Sequence, residues 1–491
     1  MVAPGDPALA ARLAEAAGLV HHDGESVYAA KLLAAMEAEA FVSKDVDHLL
    51  DVGLRFIPAD SLISRLINGV RSWVKIDGDW KKTRQRIEDS YGYHKFSGIC
   101  HVAPNYALII MELLYAREDF HEAMYIINTA GWDTDCNSGN LACLVAIMNG
   151  LAPFDNGPDW LGPLADRAVI SSAYAGYSMN NAARITYDIV NVGRSLAGES
   201  PLPAPKNGAQ FPFTLPRSIQ GFQTTCYDLQ PDLIKAEQGL SDDNRPGLAI
   251  RLRGLANAVD TAKVLTQTFT PLELITVRTY ELKASPLLYP AQKIKAIVRA
   301  EKANTASVVA RLRLKVYGPS DSLHNIDSPS VTIQVCQEEI IKWTIPGNLE
   351  SQPIQKVGLA LSAPKGHLDG IVWLESLSWS GILRLTVKRP SNAPGQLWHR
   401  AWINGVNHFH HVNPRGPFHI LQESRQRNSF LRNPRVDGLP GGCLRTHGSS
   451  WSTRGCRCPS AGAQSLLLTS VCEQKSCGHC SRPRMTRELN P

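Results

Sequence analysis

The sequence predicts a multidomain protein: an all-α bundle, then an antiparallel β-sandwich, then a disordered tail. Three observations carry this expectation. Apolar residues recur at the helical spacing of about 3.6 over the first part of the chain. Prolines at 201, 203, 205, 212 and 216 then crowd a short stretch at a density no helix interior tolerates. Beyond them the apolar period falls to 2, the repeat of a strand with one buried face. The expected organisation is a helical domain over 1–198, a proline-rich linker over 199–216, a β-sandwich over 217–412 and a tail over 413–491.

Within the helical part, Leu9, Leu13, Ala16 and Ala17 begin a first amphipathic segment. A second runs from Val27 to Phe41, rich in alanine and carrying Leu32, Leu33 and Met36. His21, His22, Asp23 and Glu25 give it a polar entry suited to capping. Asp45 and Asp47 put negative charge into the first turn of a third helix, where the helix dipole favours it, and that helix should stop near Ile57-Pro58. Further helices are expected at 60–73, 79–89, 104–116, 119–130, 136–149 and 167–195, making a bundle.

In the second part, residues 310–316 alternate Ala, Leu, Leu and Val with Arg and Lys, so one face is buried and the other wet. Segments 331–335, 341–345 and 383–387 repeat the pattern, with Pro, Gly, Asp and Asn breaks between them. Trp373, Trp379, Trp398 and Trp402 fall in this region, as core residues or as a platform for a sugar ring. No dinucleotide loop or parallel βαβ unit is visible. After about residue 413 neither period survives, and composition alone predicts disorder.

The chain has 491 residues and a formal charge of +6, but nine Lys/Arg against three Asp/Glu between 431 and 491 account for all of it. The remaining body is neutral and offers no broad footprint for nucleic acid. No run of about 18 apolar residues occurs, so no membrane partner is expected, and the start lacks the pattern of a secretory signal. A cytoplasmic location is the expectation. Five cysteines are scattered through the body and six are crowded into the tail, where Cys477-Gly478-His479-Cys480 has the spacing of a metal knuckle or redox motif without the strand and helix a redox motif needs. Nothing in the sequence sets the oligomeric state.

The chemistry concentrates in Gly131-Trp132-Asp133-Thr134-Asp135-Cys136-Asn137, where two carboxylates two residues apart precede an apolar helix. Carboxylate oxygens are hard ligands suited to Mg²⁺, Mn²⁺ or Ca²⁺. The same residues would also serve as a plain helix N-terminus, since Asp and Thr cap free N–H groups. A calcium loop is excluded: the turn glycine arrives one place late as Gly139, and Leu144 stands where the bidentate acid should be. Nearby candidates on the substrate side are His101, Trp132 and Asn137. Each has a structural alternative: His101 and Trp132 as packed residues, Asn137 as an orienting amide.

The passage SGICHVAPNYALIIMELLYAREDFHEAMYIINTAGWDTDCNSGNLACLVAIMNGL resembles the ADP-ribosylglycohydrolase family, and LVHHDGESVYAAKLLAAMEAEAF is similar to the helix pair that precedes the family's late motif. The resemblance implies an all-α fold, a binuclear Mg²⁺ centre and cleavage of ADP-ribose from its acceptors, so that the partner is an ADP-ribosylated or related glycosidic substrate. It also implies metal-ligand roles for Asp133 and Asp135. Cys136 stands where the family has a ligand threonine and is the third candidate metal residue, a softer thiol in place of a hydroxyl. Gly139, Ala142, Cys143 and Ala146 fit the close helix packing of such a fold. The family's early Thr-Asp-Asp motif has no counterpart before Asp133, which implies about 100 residues or more of a complete domain upstream. No catalytic acid or base can be assigned. The competing expectation is an inactive remnant that binds carbohydrate or protein through its sandwich.

Overall fold

The computed structural model describes residues 1–381 apart from 97, 99, 171–176, 226–232, 257–261, 272–273, 275–285, 319–321 and 350–352, together with the short strand segments 386–388, 402–404, 429–431 and 450–452. The chain begins with α1 (Pro7–Gly18), α2 (Gly24–Glu39), α3 (Val46–Leu54), α4 (Leu62–Asp77), α5 (Trp80–Tyr91), α6 (Val102–Ala116), α7 (Phe120–Thr129) and α8 (Thr134–Asn149). The bundle is built around α6. Its sequence is apolar on all sides, so it has no face to give to solvent, and every residue except Val102 and Tyr115 is buried. It packs against α4, α5, α7 and α8. Leu32, Met36, Leu49, Leu66, Ile67, Leu141 and Leu144 join it in one core. Where α3 crosses α2, a Cβ on Gly53 would lie 2.8 Å from Leu32 Cγ, so that crossing requires glycine.

Helix starts follow the capping chemistry of their sequences. Asp6, Asp45, Asp79 and Asp119 each accept hydrogen bonds from backbone N–H groups of the first turn they precede, at 2.9–3.3 Å. The polar entry to α2 behaves differently from its expected role. Asp23 makes no capping bond. Glu25 instead reaches across the bundle and accepts from the backbone N–H groups of Leu62 and Ile63 at 2.8 and 3.0 Å, capping α4 together with Ser61.

The single helix expected over 167–195 is corrected. The chain there forms β1 (Arg167–Val169) and β2 (Met179–Asn181), an antiparallel pair, and only then α9 (Ala182–Leu196). The cause is the pair Asn180-Asn181. Asn180 Oδ1 accepts from the Asn181 N–H at 2.9 Å, and Asn181 Oδ1 accepts from the Arg184 N–H at 3.0 Å. Short amide side chains bond nearby backbone in place of helical partners, so the helix can start only after them. Gly139 is also corrected: it lies on the exposed face of α8 with nothing near its Cα side. Ala142 and Ala146 do pack on the core.

The second part is a sandwich of two antiparallel sheets. Its strands are β3 (Gln223–Thr225), β4 (Ile234–Leu240), β5 (Pro246–Ala256), β6 (Ala262–Gln267), β7 (Lys293–Ala300), β8 (Val308–Tyr317), β9 (Leu323–Asp327), β10 (Val331–Ile333), β11 (Glu338–Thr344), β12 (Ile354–Ser362) and β13 (His367–Ser380). One sheet has the order β10-β8-β12-β6-β3, with β9 also paired to β8; the other has the order β11-β7-β13-β5-β4. Alternate residues of both, such as Leu312 and Leu314 of β8, Val357 and Leu359 of β12 and Val372 and Leu374 of β13, form a core separate from that of the helices. Trp373 is buried, with its indole N–H donated to Glu301, so it offers no sugar platform; Trp379 is half-buried against Phe211. Trp398, residues 383–385, Cys226 and the tail cysteines lie outside the described residues.

The stretch between the two parts is bound to both. Lys206 donates its ammonium to the carbonyl oxygens of Pro246 and Glu375, each at 2.5 Å. Phe211 and Leu377 exchange backbone hydrogen bonds at 3.1 Å. Further contacts come from Ala165 and Asp166, both at positive φ. The Asp166 carboxylate accepts from the Ser218 hydroxyl and from the Gln220 N–H, and the Ala165 carbonyl accepts from the Gly221 N–H at 2.7 Å.

One core residue conflicts with its surroundings. Glu112, in the middle of α6, is fully buried and neither carboxylate oxygen has a hydrogen-bond partner. Burial, with a smaller push from the Glu122 charge, raises its pKa from 4.5 to about 9. A raised carboxyl pKa means the unfolded chain releases this proton first. Stability from this group is therefore fullest below about pH 4.5 and declines as pH rises towards about 9. Glu112→Gln should flatten that decline and raise the melting temperature most at the alkaline end. Melting curves across pH 5–9 check it; parallel wild-type and variant profiles would refute the assignment.

Candidate functional site

The site begins with a sharp corner between α7 and α8. Gly131 and Trp132 both sit at positive φ, +89° and +63°. Such a conformation suits glycine and strains tryptophan, so the corner persists only because Trp132 is held on two sides. The Arg84 guanidinium of α5 lies over its ring, 4.1 Å from the centroid, and Tyr93 meets it edge-on at 5.4 Å. Arg84 also donates its Nε–H to the Ala130 carbonyl at 2.9 Å and pairs with Glu88 at 2.6 Å. The corner is thereby fixed to the neighbouring helix.

From below, Asn105 of α6 ties the same corner to the core. Its Oδ1 accepts from the buried Asn137 side chain at 3.1 Å and from the Asp133 N–H at 3.4 Å. Its Nδ2 donates to the Tyr93 hydroxyl at 2.7 Å and to the His101 carbonyl at 3.0 Å. The amide thus has partners at both ends. The three residues expected on the substrate side find definite places in this frame. His101 caps α6, its Nδ1 accepting from the Ala103 N–H at 3.1 Å, and packs on Phe96. Asn137 faces Asn105. Trp132 fills the space between Arg84 and Tyr93.

Asp133 occupies the N-cap of α8, yet its side chain makes no capping hydrogen bond. The helix-terminus alternative is therefore not what this carboxylate does. It lies instead beside Asp135 and Cys136, and one ligand atom from each of the three comes within 4.8 Å of the others. Among the described residues this is the group of His, Cys, Asp and Glu side chains that converges in this way. A hydrogen bond with Asp133, and then backbone N–H groups of Asp135 and Cys136, hold the Asp135 carboxyl below the ordinary range. Hydrogen bonding to Asp133, helped by burial and by the two carboxylates, pushes the Cys136 thiol up to about 11.

Cys100, not anticipated from the sequence, joins from the loop before α6. It sits at φ +58° and is exposed, and a hydrogen bond to Asp133 raises its thiol pKa as well. No spacing rule connects it with Asp133, because α6 and α7 intervene. The donor set is thus two carboxylates flanked by two thiols. The carboxylates fit a hard divalent cation that retains several of its own waters on the exposed side. Sulfur is a soft donor, so Cys136 is a poorer match for Mg²⁺ than the two carboxylates beside it.

The family model described as ADP-ribosylglycohydrolase matches residues 1–187. The sandwich region is similar in structure to carbohydrate-binding modules. One from the β-sandwich superfamily shows 13% identity and a TM-score of 0.26, covering 37% of this chain and 64% of that one. The C-terminal family 22 module of a Clostridium thermocellum protein shows 13% identity and a TM-score of 0.22, covering 35% and 96%. A module specific for non-crystalline cellulose shows 12% identity and a TM-score of 0.24, covering 37% and 100%. No curated protein matches the sequence significantly. Among the described residues no helix is long and apolar enough to cross a membrane.

The frame makes one residue critical. Asn105→Ala removes the acceptor for Asn137 and Asp133 and strands the buried Asn137 amide, at a cost of roughly 1–3 kcal/mol. Chemical denaturation should show a loss of that size, and Asn105→Asp, which keeps the acceptor, should recover part of it. An alanine variant as stable as the parent would remove Asn105 from this role.

Proposed function

Since the helical part, over residues 1–187, matches the ADP-ribosylglycohydrolase family, we propose that it is a metal-dependent hydrolase of ADP-ribosyl or related N- or O-glycosidic bonds. The observation that supports this most is the Asp133 carboxylate: it stands at a helix N-cap, makes no cap, and converges with Asp135. Mg²⁺, once bound, would supply a Lewis acid and a template for ribose hydroxyls and water. Asp133 and Asp135 are the residues that would hold it, with the N-terminal end of α8 behind them. Asn105 and Asn137 fix where the carboxylates point, and Arg84 with Tyr93 keeps the corner closed.

A second reading has its own support. Two carboxylates with soft sulfur beside them make a sparse shell for a hard cation, and no carboxylate in this cluster is left over to act as acid or base. On that reading the helical part is an inactive remnant that holds a cation without turning over substrate, and the chain acts through its β-sandwich as a carbohydrate- or protein-binding module.

Calorimetry with Mg²⁺ on the full chain separates these. The proposal expects measurable affinity, its loss in Asp135→Ala, and severalfold tighter binding in Cys136→Thr, which replaces the thiol with a hard hydroxyl. It further expects release of ADP-ribose from an ADP-ribosylated substrate. Affinity without release favours the second reading, and absence of Mg²⁺ affinity sinks the metal assignment for this chain.

A further inference from the structure

The Asp133 corner carries sulfur where a Mg²⁺ site has little use for it. Cys136 follows Asp135 directly, and its Sγ is one of the three ligand atoms that lie within 4.8 Å of one another. Asp135 and Cys136 are exposed and Asp133 is half-buried, so the group is open to an ion from solvent. All three residues belong to the N-cap and first turn of α8, so one helix start sets their mutual placement.

Donor chemistry decides which ion suits them. Magnesium takes oxygen ligands and keeps several of its own waters, and sulfur adds little to it. Zinc is borderline-soft: it takes carboxylate oxygen at about 2.0–2.2 Å and thiolate sulfur at about 2.3 Å, and three protein ligands with one position left open suffice. Two ligands of one zinc ion therefore lie no more than about 4.5 Å apart. Small side-chain rotations bring three atoms already within 4.8 Å onto it. Both carboxylates serve in such a set, and the thiol turns from bystander to ligand. Binding replaces the S–H bond with Zn–S, and the proton leaves to solvent. The N-terminal end of a helix, where Cys136 stands, favours the thiolate.

The other cysteines of the described residues have different places. Cys100 is hydrogen-bonded to Asp133 from the loop before α6 but stands outside the converging group, so it steadies the carboxylate and not the ion. Cys143, about two turns further along α8, is hydrogen-bonded to Glu37. Cys336 of the sandwich belongs to no such group.

We propose that the cation this corner selects is Zn²⁺, held by the Asp133 and Asp135 carboxylates and the Cys136 thiolate, with its exposed side open. The inference rests on reading the corner as a cation site. The Lewis-acid role stays as described, and the identity of the ion changes.

The test compares Zn²⁺ and Mg²⁺ by competition calorimetry on the full chain and its variants, and follows Co²⁺ as a spectroscopic stand-in for zinc. Every variant keeps the tail cysteines, so differences from the parent report the corner alone. Cys136→Ser should lower the ratio of Zn²⁺ to Mg²⁺ affinity tenfold or more. It should also remove one equivalent of the near-ultraviolet sulfur-to-cobalt charge-transfer band, which Cys100→Ser keeps. Should the serine variant not fold, alkylation of the unmodified chain serves instead: excess Zn²⁺ should protect Cys136 from iodoacetamide and Mg²⁺ should not, read by mass spectrometry. Mg²⁺ binding that Asp135→Ala abolishes, with a Zn²⁺ to Mg²⁺ ratio and a cobalt band that ignore Cys136→Ser, overturns the zinc assignment and leaves the cation site standing. Binding of both ions that ignores Asp135→Ala overturns both.

Discussion

The amide of Asn105 is the constraint on which the helical part depends. It is buried in the first turn of α6, and its two ends are hydrogen-bonded to different segments, the oxygen to the corner before α8 and the nitrogen to Tyr93 and the loop before α6. In a low-dielectric interior such a network is strong when complete and costly when broken. Through it the loop before α6 and the corner before α8 share one reference point. The directions of Asp133 and Asp135 are set there, rather than by their own short side chains.

The chain treats its aspartates in two ways, and the contrast is informative. Asp6, Asp45, Asp79 and Asp119 satisfy helix N-termini, a contribution of roughly 0.5–2 kcal/mol each. Asp133 has the same position on α8 and forgoes that contribution. Its neighbour Trp132 adopts a left-handed backbone that costs on the order of 1–3 kcal/mol. A helix start that is both uncapped and strained is what a chain optimised only for stability would avoid.

Much of this was legible in the sequence, though unevenly. The helices over the first 149 residues follow from apolar spacing and acidic caps, and the strands of the sandwich from strict alternation around residues 310–316 and 341–345. The hairpin at Arg167–Val169 and Met179–Asn181 was not legible, because Asn180 and Asn181 decide it by local amide bonding that apolar periodicity does not record. Glu25 reads as a cap for its own helix and acts on another one 37 residues away. Cys100 joins Asp133 only after α6 and α7 have folded between them. These are effects of tertiary contact, and they concentrate at the site.

The joint around Asp166 carries a mechanical consequence. Two successive left-handed residues, a carboxylate accepting from Ser218 and Gln220, and the Lys206 ammonium seated on two carbonyls make the connection a weld rather than a tether. A tethered module would search a volume set by its linker; a welded one presents a single orientation. Whatever the sandwich holds is therefore delivered at a fixed angle to the helical part, and loosening the weld would convert a rigid fixture into two separately diffusing bodies on one string.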